Sequence, residues 1–179
     1  MADSIRFVKS RRLELLVLNE SKIYPKFRTV SHSEPDLSAI KDHFDALNGI
    51  ERHLNAQQKK YAVNYLQKYF SGLLGMDNVF IQRNEYNGKN IIGRIGMKDE
   101  SQENKIIIIG AHYDTVENCT GVDDNSSGVI AVLELCRILF TKKVALSDVS
   151  IYCVLFDFEE EVSWQSIICD RICARKIEE

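Results

Sequence analysis

The sequence predicts an α/β protein, a three-layer αβα sandwich around a central, mostly parallel mixed sheet. Three observations carry this. Ile106, Ile107, Ile108 and Ile109 stand in one run, which marks a strand buried on both faces. Residues 129–140 are apolar nearly all round, as expected of a helix buried between neighbours. Residues 149–158 form a second apolar strand, and strand, polar loop, helix, strand is the crossover unit of a parallel sheet.

The other elements follow in order. Residues 1–35 carry little pattern and read as an N-terminal extension that packs locally or not at all. From Asp36 onward Leu37, Ile40, Phe44 and Leu47 recur at helical spacing, and Asn48-Gly49 closes that helix. A second helix is expected from Ala56, with Asn55 as its N-cap, to Leu74, where Gly75 stops it. Its stripe is Ala62, Tyr65, Leu66, Tyr69, Phe70 and Leu73, so one side covers a core. Residues 78–86 and 90–97 are strand-like and flank Asn87-Gly88-Lys89, a hairpin signal.

Composition narrows the function. The chain has 179 residues, 45% hydrophobic and 27% charged, the balance of a globular domain. At this size about 70% of the unfolded surface is buried, so folding needs no metal or disulfide staple. The net charge of −3 leaves no electrostatic footprint for nucleic acid or an anionic membrane. Arg6, Lys9, Arg11 and Arg12 form the densest basic patch and read as solvated. No run reaches the ~18 apolar residues of a membrane span, and no signal peptide is recognisable, which points to the cytoplasm by default. Of the five cysteines, Cys136 and Cys153 lie in apolar runs and read as core residues, while Cys169 and Cys173 suit one helix face or a metal equally well.

Chemistry should sit beyond the carboxyl ends of the strands, where open α/β sheets bind ligands. Three polar clusters fall there. His112-Tyr113-Asp114 follows the isoleucine strand. Gly121-Val122-Asp123-Asp124-Asn125-Ser126-Ser127-Gly128 opens the buried helix, and Asp157-Phe158-Glu159-Glu160-Glu161 ends the next strand. Each has a plainer reading alone: a loop histidine, N-cap chemistry, a solvated charge run. Together they deliver one imidazole and several carboxylates to one rim, the ligand set of a zinc-like cation.

H-Y-D-T-V, then G-V-D-D-N-S-S-G opening an apolar helix, then F-D-F-E-E ending a strand, resemble metallopeptidase family 28, the co-catalytic di-zinc aminopeptidases. The resemblance covers roughly residues 36–161. It implies a zinc-dependent peptidase that hydrolyses peptide bonds with metal-activated water, two zinc ions, and a peptide substrate with a free N-terminus. By the same resemblance His112 is a ligand of one zinc and Glu160 of the other, and Asp123 bridges them, with the Asp123–Asp124 bond cis. Asp114 orients His112, and Glu159 is the general base. Relatives are often secreted or luminal.

The chain departs from the family after the glutamates. A glycine-rich stretch is expected there, and Val162-Ser163-Trp164-Gln165-Ser166 stands instead. The family's two downstream ligands, an aspartate and a histidine, have no counterpart: no histidine follows His112, and Asp170 is too close to Glu160. His32, His43 and His53 read as surface residues rather than substitutes. The expectation is therefore a catalytic domain, residues 36–161, incomplete on its C-terminal side, followed by a divergent tail, residues 162–179. Two other readings remain: a non-catalytic interaction module of peptidase-like fold, and a single-zinc glutaminyl cyclase-like enzyme. The D-D-N-S-S-G form favours the peptidase. Residue preference and oligomeric state are not legible.

Overall fold

Helices form where the apolar spacing places them, and their caps explain their limits. A computed structural model of the chain describes residues 34–83, 88–96, 105–142 and 149–160, and the backbone of two strands at 6–9 and 14–17. Helix α1 spans Leu37–Leu47, with the Asp36 carboxylate accepting the N–H groups of Ser38 and Ala39. Helix α2 spans Lys59–Leu74 and stops at Gly75, whose φ of 82° favours glycine. Its start is later than expected. Asn55 is not the cap; backbone turns take the amides instead, with Lys59 N–H donating to Ala56 O at 3.1 Å and Tyr61 N–H to Gln58 O at 2.9 Å. Helix α3 spans Ser127–Thr141.

The strands are β1 (Arg6–Lys9), β2 (Glu14–Val17), β3 (Val79–Arg83), β4 (Lys89–Ile95), β5 (Lys105–His112) and β6 (Val149–Phe156). They form one sheet in the order β1-β2-β5-β6-β4-β3. The sheet is mixed, as expected, but parallel only between β5 and β6. The other four pairings are antiparallel. Short links between β1 and β2 and between β3 and β4 permit only antiparallel neighbours, which corrects the mostly parallel expectation. Within the expected extension, the backbone of Arg6–Lys9 and Glu14–Val17 continues the sheet beyond β5.

Helices α1, α2 and α3 all cover one face. Leu66 and Phe70 of α2 and Val129, Val132 and Leu133 of α3 meet Ile91, Ile109, Cys153 and Leu155 of the sheet. Each fully buried side chain of this kind contributes about 1.5–3 kcal/mol. The opposite face buries Ile92, Ile108, Val154 and Phe156. Among the described residues there are thus two layers; the third layer of the expected sandwich is not among them. Cys136 and Cys153 are free thiols in the core, as expected. The tail from 162 to 179, with Cys169, Cys173 and Asp170, lies outside the described residues, and so does His32.

His43 corrects another expectation. It is buried, not at the surface, because its position on α1 falls on the same stripe as Ile40 and Leu47. Its Nδ1 lies 2.6 Å from Tyr65 Oη, and its ring packs edge-on against Tyr69.

Candidate metal centre

The parallel pair β5–β6 ends both strands at one rim. His112 and Phe156, the last residues of the two strands, are register partners, and Tyr113 N–H donates to Phe156 O at 2.8 Å. Gly110 lets the strands approach there. A Cβ at that position would meet the Phe156 ring and lie 2.9 Å from the Val154 carbonyl oxygen.

His112 is buried and faces carboxylates on both sides. Its Nδ1 lies 3.3 Å from the Asp114 carbonyl oxygen and 3.4 Å from Asp114 Oδ1. Its Nε2 lies 3.0 Å from Asp124 Oδ1 and 3.9 Å from Glu159 Oε2. Asp114 also reaches the second strand end, where its Oδ2 accepts the Glu160 N–H at 3.1 Å. One buried carboxylate therefore holds the imidazole and the glutamate turn together.

The turn Val122–Ser126 carries the third cluster. Gly121 takes a left-handed φ of 57°, Ser126 N–H closes back onto Gly121 O at 2.9 Å, and Asn125 Oδ1 caps α3 by accepting the Gly128 N–H at 3.0 Å. Here the structure differs from the expectation at one peptide bond. The cis peptide bond is Asp124–Asn125, not Asp123–Asp124. Asp124 has extended backbone, φ −116° and ψ 94°, and it is this carboxylate that stands at His112. The backbone turns from helical to extended between Asp123 and Asp124, so the two carboxylates leave it in different directions. Asp123 is exposed, and its carbonyl accepts the Ser127 hydroxyl at 2.8 Å.

Arg52 has no counterpart in the sequence reading. Its guanidinium is completely buried and faces backbone carbonyls rather than a carboxylate. Nε donates to Tyr113 O at 2.6 Å, Nη1 to Ile50 O and Thr120 O at 2.9 Å each, and Nη2 to Ser126 Oγ at 2.8 Å. The residue ties the segment after His112 to the turn that bears Asp124. Burial lowers its pKa to about 10, against the opposing pull of Asp114, and it stays a cation at neutral pH.

Burial disfavours the charged form of His112. The hydrogen bond and charge of Asp114, with Glu159 and Asp124, outweigh it and push the imidazole up to about 9. Burial raises the Glu160 carboxyl, and the neighbouring Asp124, Glu159 and Asp114 carboxylates add to this, opposed by His112. Converging carboxylates of this kind are relieved by a cation.

The donor set fits a zinc-like ion. Ligands at about 2.0–2.2 Å from one ion lie at most about 4.4 Å apart. The His112–Asp124 and His112–Glu159 separations of 3.0 and 3.9 Å satisfy this. One ligand atom from each of His112, Glu159 and Glu160 also falls within 4.8 Å of the others. Asp114 Oδ1, buried without a well-formed hydrogen bond, lies on the Nδ1 side and leaves Nε2 for the metal.

With this geometry in place the comparisons can be read. Residues 90–167 match the model of Peptidase family M28. The matched segment is less than half of the chain, and it holds all the site residues named above except Arg52. Among solved structures the chain is similar to LapB from Legionella pneumophila, with a TM-score of 0.65 and 26% identity over 80% of this chain and 41% of that one. It is similar in fold to the LapA aminopeptidase of Legionella pneumophila, at 0.64 and 21% identity over 78% of this chain and 40% of that one. It is also similar in fold to a glutaminyl cyclase from an Acidobacteriales bacterium, at 0.59 and 14% identity, covering 82% and 57%. The chain therefore spans less than half the length of the two Legionella proteins. No curated protein matches. Among the described residues no helix is long and apolar enough to cross a membrane.

Proposed function

We propose that this chain belongs to a zinc-dependent metallopeptidase of the M28 aminopeptidase kind, acting on peptides with a free N-terminus. One observation carries this most: His112 Nε2 lies within 3.0 Å of Asp124 Oδ1 and 3.9 Å of Glu159 Oε2, while Glu160 is tied to the same cluster through Asp114. The family match and the likeness in fold to LapA support the peptidase reading.

In this reading His112, Asp124 and Glu160 would hold zinc, with Asp124 in the place that the resemblance gave to Asp123. Bound zinc supplies Lewis acidity and brings the pKa of a coordinated water toward ~7. Glu159 is the proton carrier. Its carboxylate accepts the proton of the attacking water and passes it to the departing amine, the two halves of general base and general acid catalysis. Asp114 holds His112 by Nδ1, so that the imidazole keeps Nε2 as a lone-pair donor. Arg52 holds the backbone on which these groups stand.

The test is zinc content per purified chain, beside His112→Ala and Asp124→Ala, with hydrolysis of an unblocked aminoacyl amide. Zinc in the parent chain that both variants lose, together with amide hydrolysis, supports the proposal. Cyclisation of an N-terminal glutaminyl peptide without hydrolysis moves the assignment to the cyclase. A folded chain without zinc leaves a peptidase-like interaction module.

A further inference from the structure

Asp157, just after β6, has no part in the roles above, yet several elements converge on it. It is 3% exposed. Its Oδ1 pairs with Lys59 Nζ at 2.5 Å and accepts the Phe158 N–H at 3.0 Å. Its Oδ2 accepts the Tyr113 hydroxyl at 2.8 Å and the Lys89 N–H at 2.9 Å. Its own N–H donates to Asn90 Oδ1 at 2.8 Å. The start of α2, the start of β4 and the residue after β5 thus converge on one side chain.

The residue that follows explains why such convergence matters. Phe158 has φ 68°, a left-handed conformation that a bulky side chain rarely adopts, and its ring is buried beneath the Lys59 ammonium at 5.2 Å. A strand continuing past Phe156 would carry each next residue about 3.3 Å further from the rim and alternate the side chains. The left-handed turn stops this and returns the Glu160 N–H to Asp114 Oδ2 at 3.1 Å.

We infer that Asp157, clamped by Lys59 and Tyr113, is a positioning residue that holds the Phe158 turn and so delivers Glu159 and Glu160 to His112. The link to metal rests on the peptidase reading above; the link to the turn does not. Lys59 and Tyr113 are parts of the same device; the Tyr113 hydroxyl reaches Asp157 Oδ2 and the Lys89 carbonyl, both at 2.8 Å.

The experiment compares Asp157→Asn and Tyr113→Phe with the parent in the full chain. It follows amide hydrogen exchange and cobalt(II) titration, read by the visible spectrum of the bound ion. Expected is a loss of exchange protection at Phe158 and Glu160 with α3 unchanged. Cobalt affinity falls about 10–100-fold, the usual effect of losing a group that orients a metal ligand, and the spectrum changes. Tyr113→Phe moves the same readouts less, and it decides the matter if Asp157→Asn does not fold. Unchanged exchange at Phe158 and Glu160 in folded variants overturns the inference. So does a uniform loss of stability with cobalt affinity and spectrum preserved. If the parent itself takes up no cobalt, the peptidase reading falls, and exchange at Glu160 alone decides whether Asp157 positions the turn.

Discussion

Arg52 Nη2 donates to Ser126 Oγ at 2.8 Å from a fully buried position, across 74 residues of sequence. That bond and those to the Tyr113, Thr120 and Gly121 carbonyls leave no room for water to replace the guanidinium cheaply. Arg52→Met should cost about 3–5 kcal/mol, since several buried acceptors lose their donor at once. Urea unfolding measures it. A midpoint equal to the parent's would show that these bonds do not hold the site loop.

Asp123 and Asp124 are adjacent and chemically identical, but only Asp124 stands at His112. Asp124→Asn should weaken zinc binding beyond the roughly 10–100-fold expected for a supporting residue, and Asp123→Asn should leave it nearly unchanged. Competition against a chromophoric chelator reads both. The reverse order of effects would restore the assignment that the sequence motif suggested.

His43 offers a pH test away from the metal. Burial lowers its pKa below the usual 6.5, against the charges of Glu134, Asp42 and Asp36, and the Tyr65 hydroxyl lies at its Nδ1. Below about pH 6.5 the unfolded chain binds the proton that the folded chain refuses, so this residue's contribution is intact above that pH and is lost as pH falls. The urea midpoint should drop between pH 8 and pH 5.5, and by less in His43→Gln. An equal drop in both would assign the pH dependence to other groups.

Gly110 stands opposite Val154 of β6, two residues before His112. Gly110→Ala places a methyl against the Phe156 ring and the Val154 carbonyl, and overpacking of this sort costs about 1–3 kcal/mol. Thermal unfolding would register it as a lowered Tm. A variant as stable as the parent would mean that the strands part easily at this point.

Much of the fold is legible in the sequence because its signals are local. The isoleucine run, the all-round apolar helix α3 and the helical spacing of Leu37, Ile40, Phe44 and Leu47 each specify an element from its own residues. The strand-end clusters were found the same way, and His112, Asp114, Glu159 and Glu160 do lie together. What escaped depends on contacts between distant segments. Nothing around Arg52 in Glu51-Arg52-His53 distinguishes it from a surface loop, since its acceptors come from residues 47, 50, 113, 120, 121 and 126. The choice between Asp123 and Asp124 turns on backbone dihedrals that D-D-N leaves open. The direction of the strands followed from link lengths in the hairpins, which the parallel crossover outweighed in the reading.

The strand order has a consequence for how the chain is made. β6 comes last among the described strands, yet it lies between β5 and β4. Until residues 149–156 have been synthesised, β1-β2-β5 and β4-β3 are two separate ribbons with facing, unpaired edges. Such edges are templates for pairing with other chains, and long-range insertion is slow because loop closure must precede its reward. The nascent chain therefore passes through a stage exposed to aggregation just before β6 arrives, and that same arrival brings Glu159 and Glu160 to His112.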